Sequence, residues 1–214
     1  MFKSLLRKEF LFEWRSLYQI GGLLSFLIGV SYLVYFFSGE INARHWNLMY
    51  WIIFLFLSFF GAARAYEDDN NRFKIYTHQL SSPLLLFLTK SFYLFLSLSV
   101  FGLLLNFILN GLLPIQNGFN ISWIIVLLAV CLGFALLTAF TSFLSSHGQT
   151  KQVLMVVISL PLCFPLIGMA FSFTLDILSG QSLAAIYPKL YPIFAIDLLA
   201  MALVSLLLPL SWKN

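Results

Sequence analysis

The sequence predicts an all-α integral membrane protein, with about six transmembrane helices preceded by an amphipathic helix at the membrane surface. Three observations predict it. The 214 residues are 61% hydrophobic and 18% aromatic, with a mean hydropathy of +0.94. Only 9% are charged, against roughly 25% in soluble domains. The apolar residues also come in continuous runs of about 20, the length of a helix across hydrocarbon, and not in the alternating ten-residue segments of a membrane barrel.

Met1–Tyr18 (MFKSLLRKEFLFEWRSLY) opens the chain. On a helical wheel Phe2, Leu6, Phe10, Trp14 and Leu17 share roughly a third of the circumference. Lys8 and Arg15 lie opposite, and Glu9 and Glu13 stack at i, i+4 on the edge of the apolar arc. This pattern predicts residues 1–18 as a helix lying in the headgroup plane. A secretory signal fits less well, because the basic region is long, contains acids and is followed by no small-x-small cleavage site.

The spans follow in order. The first is approximately Gln19–Phe37. A short loop, Ser38–Trp46, carries Glu40, Arg44 and His45, and the second span covers about Trp46–Ala63. Arg64–Pro83 (RAYEDDNNRFKIYTHQLSSP) then breaks the apolar pattern, with Arg64, Glu67, Asp68, Asp69, Arg72 and Lys74 within a few residues. Such a segment cannot rest in hydrocarbon, where each unsatisfied polar group costs several kcal/mol. Phe73, Tyr76 and Leu80 at i, i+3, i+7 predict a short amphipathic helix, with Asn70 as N-cap, the acids at its positive end and Pro83 as its stop. It is either a docking helix for a partner or an ordinary solvated loop.

A long run from about Leu84 to Leu113 gives the third span, and Gly111–Asn120 an uncharged turn. The fourth span is about Ile121–Leu144, followed by the polar turn Ser145–Gln152. The fifth run, Val153–Leu175, contains Pro161, Pro165 and Gly168. Two prolines four residues apart each remove a helix hydrogen bond, so the helix kinks or is interrupted there. Such breaks are tolerated where protein or a cavity surrounds them. They mark either a kinked packing helix or a hinge. Asp176–Lys189 is weakly amphipathic, a loop or a re-entrant helix, and Tyr191–Leu210 is the last span. The whole of residues 1–214 makes one transmembrane domain, with no second domain, linker or internal repeat.

About six spans put both termini on one side. With the N-terminus inside, Lys3, Arg7, Lys8, Arg15, Arg64, Arg72, Lys74, Lys90, Lys151 and Lys213 lie at or near the cytoplasmic face, and only Arg44 and Lys189 outside. This is a positive-inside pattern. The net charge of +4 then reflects basic residues facing anionic headgroups rather than nucleic acid.

No catalytic constellation emerges. The sequence has no Gly-Lys pair and so no phosphate-binding loop of the GxxxxGK[ST] type; any ATP used is hydrolysed by another polypeptide. There is no HExxH, CxxC or GxSxG. His45, His78 and His147 read as solvated or interfacial residues, and a haem-ligand role for His45 has no support. Cys131 and Cys163 lie inside apolar runs and read as small core residues. No metal site or bound cofactor is expected. Lys90 is near enough to an edge to snorkel, and Asp197, six residues after Tyr191, reads as near the outer interface. No chain of acids such as a proton-coupled carrier uses is present.

Three stretches carry a family resemblance: FKSLLRKEFLFEWR, YEDDNNRFKIYTHQLSSPLLLFLTKSFY and VLMVVISLPLCFPLIGMA. They resemble, respectively, the amphipathic opening helix, the acidic loop with its Gln-Leu-x-x-x-Pro segment, and the Leu-Pro-Leu-x-x-Pro-Leu span of the haem exporter protein B family. That family supplies the ABC-2 type permease subunit of system I cytochrome c maturation, and the resemblance covers the whole chain. The chain departs from it at Asn70-Asn71-Arg72-Phe73, where the family tends to carry Asp-Gly followed by Ser or Thr.

The resemblance implies an ABC-2 exporter architecture in the bacterial inner membrane with cytoplasmic termini. Two copies pair, and each docks a P-loop ATPase subunit through a coupling helix containing Arg72, Phe73, Lys74, Tyr76 and Leu80. Haem-handling membrane subunits join, and ATP-driven movement releases a haem-loaded chaperone. Haem would belong to the complex, with no site for it assigned on this chain. Pro161, Pro165 and Gly168 would form the hinge, and Phe10, Glu9, Glu13 and Trp14 would belong to the interfacial helix. The alternatives are an ABC-2 permease for a lipid, polysaccharide or drug, a purely structural membrane subunit, or an intramembrane transferase. The transferase would have to use Glu67, Asp68, Asp69 and His78, with the acids holding Mg²⁺.

Overall fold

The computed structural model describes residues 2–15, 17–39, 41–67, 82–145, 151–181 and 183–211. Among them are seven helices and no strand: α1 (Phe2–Arg15), α2 (Leu17–Phe37), α3 (Ala43–Glu67), α4 (Pro83–Leu112), α5 (Ile121–Ser145), α6 (Lys151–Leu178) and α7 (Leu183–Ser211). Five of them, α2 to α6, are long and apolar enough to cross a membrane. α7 is 29 residues long, and among its described residues Leu190–Ala202 forms a shorter apolar stretch. The chain is therefore an all-α, multi-pass membrane protein.

Local chemistry sets the helix boundaries. α2 ends where Ser38 turns its hydroxyl and its N–H back onto the Val34 carbonyl. Asn42 caps α3, its Oδ1 accepting the His45 N–H at 2.9 Å. Ser82 has the extended backbone of an N-cap (φ −66°, ψ 145°), and Pro83 occupies the first turn of α4, where its missing N–H costs nothing. Pro83 therefore opens a helix, whatever it stops before it. α6 closes with Gly180 at φ +88°. The Gln181 N–H bonds the Asp176 carbonyl at 3.1 Å and the Gly180 N–H bonds Ile177 at 2.9 Å, a left-handed cap that only glycine adopts without strain.

Three boundaries differ from the sequence expectation. Arg64–Glu67 is the last turn of α3, not the start of a loop. Asp176 lies in the last turn of α6, and Leu183–Lys189 forms the first two turns of α7. The stretch read as a loop or re-entrant helix is thus a helix end, a tight turn and a helix start. The fifth span is not interrupted either: α6 runs through Pro161 and Pro165 as one helix.

α5 is the central helix, packed against α3, α4, α6 and α7. Its interior face includes Trp123, Val126, Val130, Phe134, Ala135 and Ala139, all buried. The start of α3 lies beside the start of α5 and the end of α6 (Trp46 on Trp123, Asn47 on Phe171), and the turns at 113–120 and 179–181 meet at the same end of the bundle. This is the turn end. α1 packs on the first half of α4, at the opposite end.

Candidate functional site

The predicted coupling residues Arg72, Phe73, Lys74, Tyr76 and Leu80, and the acids Asp68 and Asp69, lie outside the described residues. Glu67 is the last residue of α3. The described structure on either side of this segment is the end of α3 and the start of α4.

α1 is helical over Phe2–Arg15, shorter than the predicted 1–18, and Leu17 and Tyr18 begin α2 instead. It lies on α4 through two ring contacts. Phe10 meets Tyr93 edge-on at 5.6 Å (84°), and Phe2 meets Phe92 at 6.1 Å. Lys3 and Arg7 are exposed, and Lys8 Nζ stands 3.7 Å from Glu9 Oε1. Glu13 and Trp14 share the α1 backbone, and their side chains lie outside the described residues. α1 and the segment before Pro83 therefore bear on the same long helix.

The turn end holds the polar ties between helices. Asn47 of α3 donates its Nδ2–H to the Phe171 carbonyl of α6 at 2.7 Å. Trp51 Nε1–H donates to Thr174 Oγ1 at 2.9 Å, and that hydroxyl stands 2.7 Å from Asn47 Oδ1. All three side chains are essentially unexposed. Tyr50 O–H donates to the Gly102 carbonyl of α4 at 3.0 Å. Around these ties, Trp46, Tyr50, Trp51, Phe54 and Trp123 form a continuous set of stacked and edge-on rings. α3 is thus clamped to α4 and α6 by hydrogen bonds inside an aromatic core.

Several other buried hydroxyls turn back onto their own helices, while those of Ser31 and Ser91 have no partner among the described residues. Thr89 bonds the Leu85 carbonyl, Ser99 bonds Phe95, Thr138 bonds Phe134 and Thr141 bonds Thr138, at 2.6 to 3.1 Å. A hydroxyl satisfied in this way offers little to a passing polar solute. Cys131 and Cys163 are free and buried. Among the described residues no three His, Cys, Asp or Glu side chains converge as a metal site.

Pro161, Pro165 and Gly168 share one face of α6, and that face is exposed, beside Val157 and Phe164. The described residues of this chain do not enclose the prolines. The helix runs unbroken past both prolines, and its outer face has few neighbours among the described residues.

His45 is exposed at the turn end, its Nδ1 2.8 Å from Asn42 Oδ1. It edges an open, mostly apolar groove between α2 and α3, with Val34, Phe37 and Met49. Asp197 departs furthest from its sequence reading. It is a buried residue in the middle of α7. Sequence reasoning also missed Asn47, Thr174 and Trp51. The available signal was an amide and a hydroxyl inside otherwise apolar runs.

Comparison with known proteins gives no matching family model, no matching curated protein and no matching solved structure.

Proposed function

We propose that this chain is the non-catalytic membrane subunit of an ATP-driven, ABC-2 type complex that handles haem in cytochrome c maturation. A separate P-loop ATPase would hydrolyse the nucleotide, two copies of this chain would pair, and haem-handling subunits and a haem chaperone would complete the assembly. The reading rests on the family resemblance of the three quoted stretches. The observation that carries the mechanical part is the docking of α1 on α4 through Phe10–Tyr93 and Phe2–Phe92.

Force applied to residues 68–81 enters α4 at Pro83 and α3 at Glu67, the two helices that flank the segment. α1 rides on α4. The α3–α6 clamp would carry the displacement to the proline-bearing span. The hydroxyls of Thr89, Ser99, Thr138 and Thr141 bond their own helix carbonyls, which favours a subunit that transmits motion over one that conducts a polar solute.

In this reading Phe73, Tyr76 and Leu80 fill a groove on the ATPase, and Arg72 and Lys74 pair with its acids. Tyr76→Asp places a charge in that apolar contact. The expected outcome is loss of ATPase co-purification with unchanged membrane content of the variant. Normal co-purification would remove the docking assignment.

A further inference from the structure

Asp197 stands midway along α7, with the same length of helix to Leu183 as to Ser211. At 1.5 Å per residue each end is about 21 Å away. The residue is 4% exposed, and both carboxylate oxygens are buried with no hydrogen-bond partner. Gly133 of α5 faces it. A Cβ at position 133 would stand 2.5 Å from Asp197 Oδ1 and 2.8 Å from Leu166 Cδ2 of α6. The missing side chain at 133 is what leaves room for the carboxyl in the α5–α6–α7 junction.

Among the described residues no cation bonds the group there. On α5 the nearest titratable side chain along the helix is the Cys131 thiol, two residues from Gly133. On α6 it is Cys163, one turn before Leu166 on the same buried side. α4, which also touches α7, carries Lys90 and Tyr93 in its first half, and α7 itself carries Tyr187, Lys189 and Tyr191 in its first turns. The Lys189 side chain lies outside the described residues, and none of the others bonds either carboxylate oxygen. An ionised carboxylate needs water, a cation or several donors, and inside a bilayer such a group marks a functional site by default. A carboxyl that holds its proton needs much less.

We propose that Asp197 is a proton-binding site in the middle of the membrane, and that release of its proton unseats α7 from the Gly133 face of α5. The proton leaves the carboxyl for water and returns from water, so no further reactant is required. α7 is suited to such a shift. Tyr191, Phe194, Leu198 and Leu199 are at least half exposed, so the helix is held along one side only. This inference does not depend on the haem reading.

The test uses the full chain in lipid nanodiscs. Dicyclohexylcarbodiimide enters the bilayer and adds to a protonated carboxyl as an N-acylurea, which peptide mass mapping locates. The expected result is an adduct on Asp197 that declines as the pH rises and is absent from Asp197→Asn. In parallel, a native state that binds one more proton than the unfolded state loses stability with rising pH. The wild type should therefore lose thermal stability as the pH rises, while Asp197→Asn stays flat. No adduct at any pH would overturn proton binding. An adduct together with superimposed pH profiles would overturn the unseating of α7. If Asp197→Asn does not fold, labelling of the wild type still decides the first point.

Discussion

Thr174→Val isolates the clamp between α3 and α6. Valine keeps the shape and volume of threonine, so no cavity opens. The substitution removes one hydroxyl, which in the native bundle accepts from Trp51 Nε1–H and lies within hydrogen-bond distance of Asn47 Oδ1. Both partners are buried. An orphaned buried polar group costs about 1–3 kcal/mol, whereas interhelical hydrogen bonds in membranes average about 0.6 and reach about 1.7 kcal/mol. The Thr174 proton is shared between Asn47 Oδ1 and the Ala170 carbonyl at 2.6 Å, so orphaning Trp51 Nε1–H dominates and gives about 1–2 kcal/mol. The assay is reversible unfolding in mixed micelles with increasing denaturing detergent, read from the midpoint and slope. Asn47→Leu serves as the second arm of a double-mutant cycle. Because Asn47 also bonds the Phe171 carbonyl, it should cost more than Thr174→Val alone, and the two together less than their sum. A Thr174→Val midpoint within about 0.5 kcal/mol of the wild type would refute the clamp as a tie between the helices.

Three further outcomes follow from the same packing. Gly133→Ala should destabilise the bundle by about 1–3 kcal/mol through overpacking against Leu166 and Asp197, and Asp197→Ala in the same chain should recover part of the loss; thermal denaturation in detergent measures both. Tyr50→Phe should cost about 1 kcal/mol, since it removes only the hydrogen bond to Gly102 and leaves the ring stack, and detergent unfolding reads that loss. Pro161→Ala with Pro165→Ala should leave thermal stability equal or higher, because both positions face outward on a continuous helix and proline is the least favourable interior helix residue. If α6 bends as a hinge, that double variant should lose haem delivery to apocytochrome while still recruiting its ATPase, and full delivery would remove the hinge.

The membrane fold was legible because its cause is additive. Twenty apolar residues in a row have one stable state in hydrocarbon, and five such helices stand where the runs predict them. Helix ends were less legible, because a helix does not stop at the membrane surface. Arg64–Glu67 extends α3 because charged residues can leave the bilayer without leaving the helix. Leu183–Lys189 read as part of a loop or a re-entrant helix because the stretch is only weakly amphipathic, yet it is the start of α7. That earlier start moves Asp197 from a helix end to a helix centre.

The ties inside the bundle were not legible at all. Asn47 and Thr174 are separated by 127 positions, and no local pattern pairs them. Gly133 is likewise silent in the sequence, since its meaning lies in the carboxyl that it faces. Of the candidate site, the amphipathic opening helix was legible from its period, but its seat on Phe92 and Tyr93 was not. The exposed side of the prolines depends on which face of α6 the rest of the bundle uses.

The most direct test is purification of the tagged chain from its native membranes in mild detergent, with mass spectrometry of what accompanies it and a haem absorbance spectrum. A coupling subunit of haem handling should bring down a P-loop ATPase together with haem-handling membrane proteins. Recovery of an ATPase without any haem-related partner would contradict the haem assignment in favour of another ABC-2 cargo, and recovery of no ATPase would contradict the coupling role itself.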